Sequence, residues 1–285
     1  MTKTLAVHLH LYYLDQLDEI LLKLQNLRNV DYDLFVTMTC ENATVFAKIK
    51  EFNPNANIFI CENRGYDIGP FIDFLHKINL SDYKCILKLH SKGKYSRNYT
   101  HLNNMRFDNN QWGAVLWKAL LANPQRVDQD LTLLQDSKIG MLSSKYCINK
   151  EERNYKSLLS KINTTLEKIG LQETNQVEFV AGSMFYAKAE LFRPLLKLQI
   201  DDFSMTNRDI KEGTLAHVVE RVIGVVVKEQ GYDMYGVNDW YPLFLCLKSA
   251  FKRFIFQRKI TANNKLLIKV LKLPVYSKKI KEDFN

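Results

Sequence analysis

Glycine and proline are scarce in this 285-residue chain, at 11 and 6 residues. That leaves little composition for long disordered regions, and the sequence shows neither internal repeats nor a low-complexity linker. The five cysteines, Cys40, Cys61, Cys85, Cys147 and Cys246, are widely spaced, never form a C-x-x-C pair and mostly fall in apolar strand-like runs. This spacing speaks for buried free thiols in a reducing compartment rather than for disulfides or zinc. No apolar run reaches the roughly 18 residues that a spanning helix needs. The N-terminus opens directly into a strand pattern with no charged-then-apolar leader, so a cytoplasmic protein is expected.

Hydrophobic residues make up 46% of the chain, enough for a sizeable core, and the length suits one domain plus a tail. The net charge of +9 is unevenly placed. From Lys248 onward there are eleven Lys/Arg and two Asp/Glu, which leaves 29 basic (40 less 11) and 29 acidic (31 less 2) residues before it. Within the tail, FKRFIFQRK and KLLIKVLKLPVYSKKIK interleave cations with aromatic or aliphatic residues. An in-plane membrane helix on an anionic surface would favour such a pattern, and so would a helix packed on the body with a solvated basic face. No recognised nucleic-acid motif accompanies the charge, and nucleic acid is not an expected partner.

The first 95 residues alternate strand and helix signals. TLAVHLHLYY reads as strand, LDQLDEILLKLQNL as helix, YDLFVTMTC as strand and NATVFAKIKEF as helix. NIFICEN, YDIGPFIDFLHKI and KCILKLH then repeat strand, helix, strand, with Asn42 and Asp67 as N-caps. Alternating βα units point to a parallel sheet covered by helices, whose ligand crevice lies at the carboxyl ends of the strands. From about residue 100 the pattern lengthens. QWGAVLWKALL and the run after Asn123-Pro124 are helical, IGMLSS is a short strand, and 150–176 is polar and helical. VEFVAGSMFYAKAELFRPLL is a strand running into a helix, TLAHVVERVIGVVVKEQG is a helix stopped at Gly231, and YDMYGV is a closing strand.

Two strand ends carry the chemistry. After the third strand, Asn63, Arg64 and Asp67 place polar groups at the crevice, with Arg64 suited to a phosphate and Asp67 to a base or ribose hydroxyl. Gly65 supplies a left-handed turn position, and the turn could equally be a plain strand-to-helix connection. After the fourth strand, His90, Ser91 and Lys92 follow Lys88-Leu89. His90 and Lys92 alternate with Leu89 and Ser91, so they project to one side and suit a diphosphate. His8 and His10 alternate along the first strand, but two histidines without a third ligand make a poor metal site and read as core-edge residues near a nucleotide pocket. Of Trp112 and Trp117, at least one is expected in the core.

Together, ENRGYDIGPF, LKLHSKGK, QWGAVLWKALL, FVAGSMFYAKAELF and GTLAHVVERV, in this order, make the chain similar over most of residues 5–240 to the rhamnan synthesis F family. These are bacterial glycosyltransferases that extend cell-surface polysaccharides such as O-antigen, capsule or rhamnan. The resemblance implies an α/β fold: a GT-A-like, Rossmann-type, mostly parallel sheet flanked by helices. Residues 1–244 are expected to form a nucleotide-sugar half (1–98) and an acceptor half (99–244), and the charge pattern adds a basic, helical, amphipathic tail over 245–285. It implies transfer of a sugar, rhamnose first, then galactofuranose or another hexose, from a dTDP- or UDP-linked donor to a lipid-linked glycan at the inner face of the plasma membrane. The wider fold group holds Mg or Mn on an Asp-x-Asp at the end of the fourth strand. Here that position reads His90-Ser91-Lys92, and Asp31-Tyr32-Asp33 precedes its strand at the wrong sheet edge, so transfer without a metal or other cofactor is expected, with Mg or Mn as the open alternative. By the same resemblance the base that takes the acceptor proton is Glu220, with His217 one helical turn before it, Asp209 and Asp239 in reserve, and Gly182 and Ser183 lining the acceptor site. The alternative is a nucleotide- or sugar-binding subunit of a synthesis complex without catalysis.

Overall fold

The alternation read from the sequence folds into a layered α/β body in a computed structural model, which describes residues 3–93, 99–102, 105–108, 112–135, 138–150, 158–207, 209–210, 212–238, 240–260, 265–271 and 273–279. The chain divides into two units, Met1–Lys94 with Trp112–Asp239, and Tyr95–Gln111 with Trp240–Asn285.

In chain order the elements begin with β1 (Lys3–His10), α1 (Leu17–Leu24), β2 (Tyr32–Met38), α2 (Ala43–Phe52), β3 (Asn57–Ile60), α3 (Ile68–Lys77) and β4 (Tyr83–His90). The hairpin of β5 (Tyr99–Leu102) and β6 (Met105–Asp108) belongs to the second unit. The first unit resumes with α4 (Trp112–Leu120), α5 (Pro124–Leu133), β7 (Ile139–Ser144), β8 (Ile148–Lys150), α6 (Leu159–Ile169), β9 (Glu178–Val180) and β10 (Phe185–Lys188). A 3-10 helix over Ala189–Lys197, α7 (Leu215–Glu229) and β11 (Asp233–Val237) complete it.

Seven strands form one sheet in the order β11-β7-β10-β4-β1-β2-β3. The strands β1 to β4 run parallel, β11 runs parallel to β7, and β10 enters antiparallel to both β4 and β7. The sheet is therefore mostly parallel and flanked by helices, as the βα alternation required. Helix ends follow their residues. The Asn42 side chain accepts the Val45 N–H at 3.0 Å and starts α2, and Asn123 does the same for α5 through Arg126 N at 2.9 Å. Asp33 bonds Lys3 and the Tyr83 hydroxyl near the start of β2, at the end of the sheet opposite the carboxyl edge of β4. Cys61, Cys85 and Cys147 are buried free thiols, while Cys40 is exposed.

Central strands buried on both faces should read as continuous apolar runs. Here the strand register instead aligns Phe35, His8, Lys88 and, across the antiparallel β10, Phe185 in one row, with Thr37, His10 and His90 in the row nearer the carboxyl edge. Helix α3 lies over that face: Phe74 stacks on His8 at 4.6 Å between ring centroids, and Lys88 Nζ sits 5.4 Å from the centre of the Phe71 ring.

In the second unit, α8 (Tyr241–Ile255) is followed by β12 (Phe256–Ile260), β13 (Lys265–Val270) and β14 (Leu273–Lys279), an antiparallel three-stranded sheet. The expected helical tail is thus helical only as far as Ile255. Beyond it Pro274 withholds a helix donor, which suits a strand.

Candidate functional site

The carboxyl edge of β4 and the start of α3 meet at Asp67. Gly65 (φ 65°) and Tyr66 (φ 57°) are both left-handed and turn the chain sharply from β3 into α3. A Cβ on Gly65 would lie 2.7 Å from the Phe203 ring, so only glycine fits. Asp67 holds the N-cap position but makes no capping bond with its side chain. Its carboxylate Oδ2 lies instead 2.5 Å from Lys88 Nζ, 2.5 Å from the Ser183 hydroxyl and 3.1 Å from His90 Nδ1. Lys88, with no exposed surface, also donates to the Ser183 carbonyl at 3.0 Å and the Ser183 hydroxyl at 3.1 Å.

Burial alone would raise the Asp67 carboxyl, but His90 and Lys88 beside it outweigh burial and hold it well below the usual carboxylate range. Burial lowers Lys88, and Asp67 opposes that shift. Burial also takes His90 down to about 4 and His10 to about 3, and His8 well below its ordinary value. At neutral pH these imidazoles are uncharged. Of the two cations expected from His90 and Lys92, His90 is therefore neutral, and the strand carries instead the buried Lys88 ammonium paired with Asp67.

The opposite wall comes from the β9–β10 turn and α7. Gly182 (φ 84°) and Ser183 (φ 46°) form a second left-handed pair. Such a conformation at a non-glycine residue costs on the order of 1–3 kcal/mol and persists where the surroundings enforce it, here through the bonds of Ser183 to Asp67 and Lys88. The Gly182 N–H donates to Glu220 Oε1 at 2.9 Å. Burial first, and then the Asp67 charge, raise the Glu220 carboxyl to about 7, against the opposing pull of Lys92, Arg221 and the Gly182 N–H. A carboxyl poised near neutrality can take up and release a proton at working pH. Arg221 Nη1 is 3.9 Å from Glu220, is held by the His217 carbonyl at 2.8 Å, and stacks over Phe179. His217 Nδ1 meets the Thr214 hydroxyl at 2.7 Å, and its ring lies 5.4 Å from that of Tyr66.

Asp67, His90, Ser183, Gly182 and Glu220 thus lie within one network, and Lys92 acts on both Asp67 and Glu220 through its charge. Other sequence-predicted residues sit elsewhere. His8 is wholly buried beneath α3, bonded through Nε2 to the Thr37 hydroxyl at 3.0 Å, so it lies in the core instead of at its edge. Ser91 is buried, and its hydroxyl accepts the Tyr12 and Tyr13 N–H groups at 2.9 and 2.8 Å, tying the ends of β1 and β4 together. Arg64 bonds Glu62 and the Phe203 carbonyl, and the Asn63 carbonyl accepts the Thr206 N–H at 2.8 Å; both brace the 203–207 segment. Asp209 is exposed in a turn, and Asp239 lies outside the described residues. Trp117 is buried with its indole N–H on the His90 carbonyl at 3.1 Å, whereas the Trp112 side chain is outside the described residues.

The residue missed was Lys88. Its signal was available: a lysine two positions before His90 in a strand apolar on its other face must point to the same side as His90.

The donor set does not suit a divalent ion. Asp67 Oδ2 already meets an ammonium, a hydroxyl and an imidazole, and the buried Lys88 charge would repel a further cation beside it. Among the described residues no three His, Cys, Asp or Glu side chains cluster as ligands.

The family described as rhamnan synthesis protein F matches residues 1–232. The chain belongs to that family. All five motifs of the sequence resemblance, and the whole Asp67–Glu220 network, fall inside the matched span. The uncharacterized protein WxcX of Xanthomonas campestris pv. campestris, from strain B100 and from strain ATCC 33913, is 30% identical over 239 residues, 82% of this chain and 33% of each relative. The chain therefore spans about a third of the length of the curated relatives it matches. Among solved structures, glucosyl-3-phosphoglycerate synthase from Mycobacterium tuberculosis, in complex with Mn2+, UDP and glucosyl-3-phosphoglycerate, covers 97% of this chain and 90% of its own at 12% identity. Its TM-score is 0.35, too loose a superposition to carry over the role of any residue.

Proposed function

We propose that this member of the rhamnan synthesis protein F family transfers a sugar, with inversion, from a nucleoside diphosphate donor to a growing bacterial cell-surface polysaccharide. Rhamnose on dTDP is the favoured donor, with UDP-galactofuranose or another hexose next, and the acceptor is a lipid-linked glycan at the inner face of the plasma membrane. The observation that supports the reading best is Glu220: a half-buried carboxyl with its pKa raised to about 7, aimed by the Gly182 N–H, across from a cationic strand end.

In this mechanism the acceptor hydroxyl gives its proton to Glu220 as its oxygen bonds the anomeric carbon, and the bond from that carbon to the diphosphate breaks. Lys92 meets the charge that builds on the departing diphosphate, with Lys88 behind it and His90 as a neutral partner. Gly182 and Ser183 border the acceptor, and His217 helps to orient it.

A second reading, a nucleotide- or sugar-binding subunit without catalysis, is favoured by one observation: Asp67 is already neutralised from within by Lys88. Purified protein given dTDP- and UDP-sugars, with and without EDTA, separates the two. We expect transfer or donor hydrolysis that survives EDTA. Its kcat/KM should rise with pH through about 7 as Glu220 ionises. Glu220→Gln should lower kcat by ~100-fold or more while nucleotide affinity stays within ~3-fold. Nucleotide binding with no turnover of any donor would favour the binding subunit, and full activity of Glu220→Gln would remove Glu220 as the base.

A further inference from the structure

Helix α8 presents its largest apolar side chains outward. Leu245 is buried, but Trp240, Phe244, Leu247 and Phe251 are 78%, 58%, 61% and 65% exposed. The Phe244 N–H bonds the Trp240 carbonyl at 2.9 Å, so Trp240 lies on the first turn of the helix. At 3.6 residues per turn the four positions fall within an arc of about 60°, a single stripe along the helix. Contiguous apolar surface of this kind marks a docking face on proteins that otherwise keep such residues inside.

Charge names the occupant. The chain before Lys248 is balanced at 29 residues of each sign, whereas from Lys248 onward cations outnumber anions eleven to two. Lys248 follows Leu247 and flanks the stripe on the helical wheel, and Lys252 and Arg253 lie in the same helix. An aromatic and aliphatic stripe beside cations is the makeup of a helix lying in the plane of an anionic lipid interface. Among the described residues no helix is long and apolar enough to cross a membrane, which fits contact in the plane instead of insertion across it.

We infer that α8 docks on an anionic bilayer, with Trp240, Phe244, Leu247 and Phe251 entering the headgroup boundary and Lys248 beside them meeting a lipid phosphate. The inference deepens the reading above by assigning the element that reaches the acceptor's membrane. It stands on other residues than Glu220, so vesicle binding can fail while sugar transfer survives, and the reverse.

The test uses the full chain with phosphatidylcholine vesicles and with phosphatidylcholine–phosphatidylglycerol vesicles. The protein should co-sediment with the anionic vesicles at least ~10-fold more strongly than with the neutral ones, and added salt should weaken that binding. Tryptophan emission should shift to the blue on binding, and Trp240→Phe should abolish the shift while the protein still sediments with the vesicles. Joint replacement of Trp240, Phe244, Leu247 and Phe251 by Ser, with circular dichroism unchanged, should lower binding by ~10-fold or more. Binding equal to wild type after that replacement, or no binding of the wild type, overturns the inference. An oligomer that the four replacements convert to monomer without any vesicle binding overturns it as well and assigns the stripe to contact between copies.

Discussion

At the residue scale, the core question is why a lysine sits at the centre of a seven-stranded sheet. A buried ion pair gives little net stability against apolar residues of the same volume, yet leaving one partner alone is costly. Lys88→Met strands the Asp67 carboxylate opposite an apolar group and should cost about 3–5 kcal/mol in urea unfolding. Adding Asp67→Asn to that variant should recover most of the loss. An equal loss in the single and double variants would show that Lys88 matters for packing and not for Asp67. The existence of Lys88 and His90 on one face was legible from strand alternation alone. Their partners were not, because Ser183 is 95 residues from Lys88 and 116 from Asp67 in sequence, and no local period encodes a bond of that span.

At the element scale, α7 positions Glu220, the proposed base. Gly224, one turn after Glu220, rests against β9, and a Cβ there would lie 1.9 Å from the Glu178 carbonyl and 2.9 Å from the Phe179 Cα. Helix propensity would favour alanine at this position by about 1 kcal/mol. The clash is with backbone, which cannot swing aside, so sterics win and Gly224→Ala should destabilise by about 1–3 kcal/mol. The same displacement would draw Glu220 away from the Gly182 N–H. Activity should therefore fall further than nucleotide affinity, which paired turnover and binding measurements would reveal; a stabilised Gly224→Ala protein would contradict the close approach. That α7 is a helix could be read from its periodicity. That most of it is buried against β9, α6 and β11, and is not a surface helix whose Glu220 merely pairs with Arg221, followed only from its packing.

At the scale of the whole molecule, the buried imidazoles couple folding to pH. His8, His10 and His90 all titrate lower in the folded protein than when unfolded, the last two at about 3 and 4. Unfolding takes up protons at these groups, so their stabilisation is fully present above about 6.5 and is lost as pH falls toward those folded values. Glu220 runs the other way, because its pKa is raised to about 7 and its contribution is present in acid and lost as pH rises through 7. His217 also titrates below its ordinary value, and burial raises the Asp130 carboxyl to about 6, on the side of Glu220. Four imidazoles against two carboxyls should lower the urea midpoint between pH 7.5 and pH 5, and His10→Asn should flatten that slope. A midpoint that rises on acidification would mean that the histidines are charged in the folded state. The sequence by itself determined the run of strands and helices, the parallel first half of the sheet and the residues at its carboxyl edge, because hydrophobic period and capping act over a few neighbouring residues. Only the tertiary structure decided that Asp67 is held by Lys88 and Ser183, that Glu220 meets Gly182, that β10 runs antiparallel and that the basic tail continues as strands. Each of these depends on which distant segments share a buried contact, and that follows from register and packing across the whole chain.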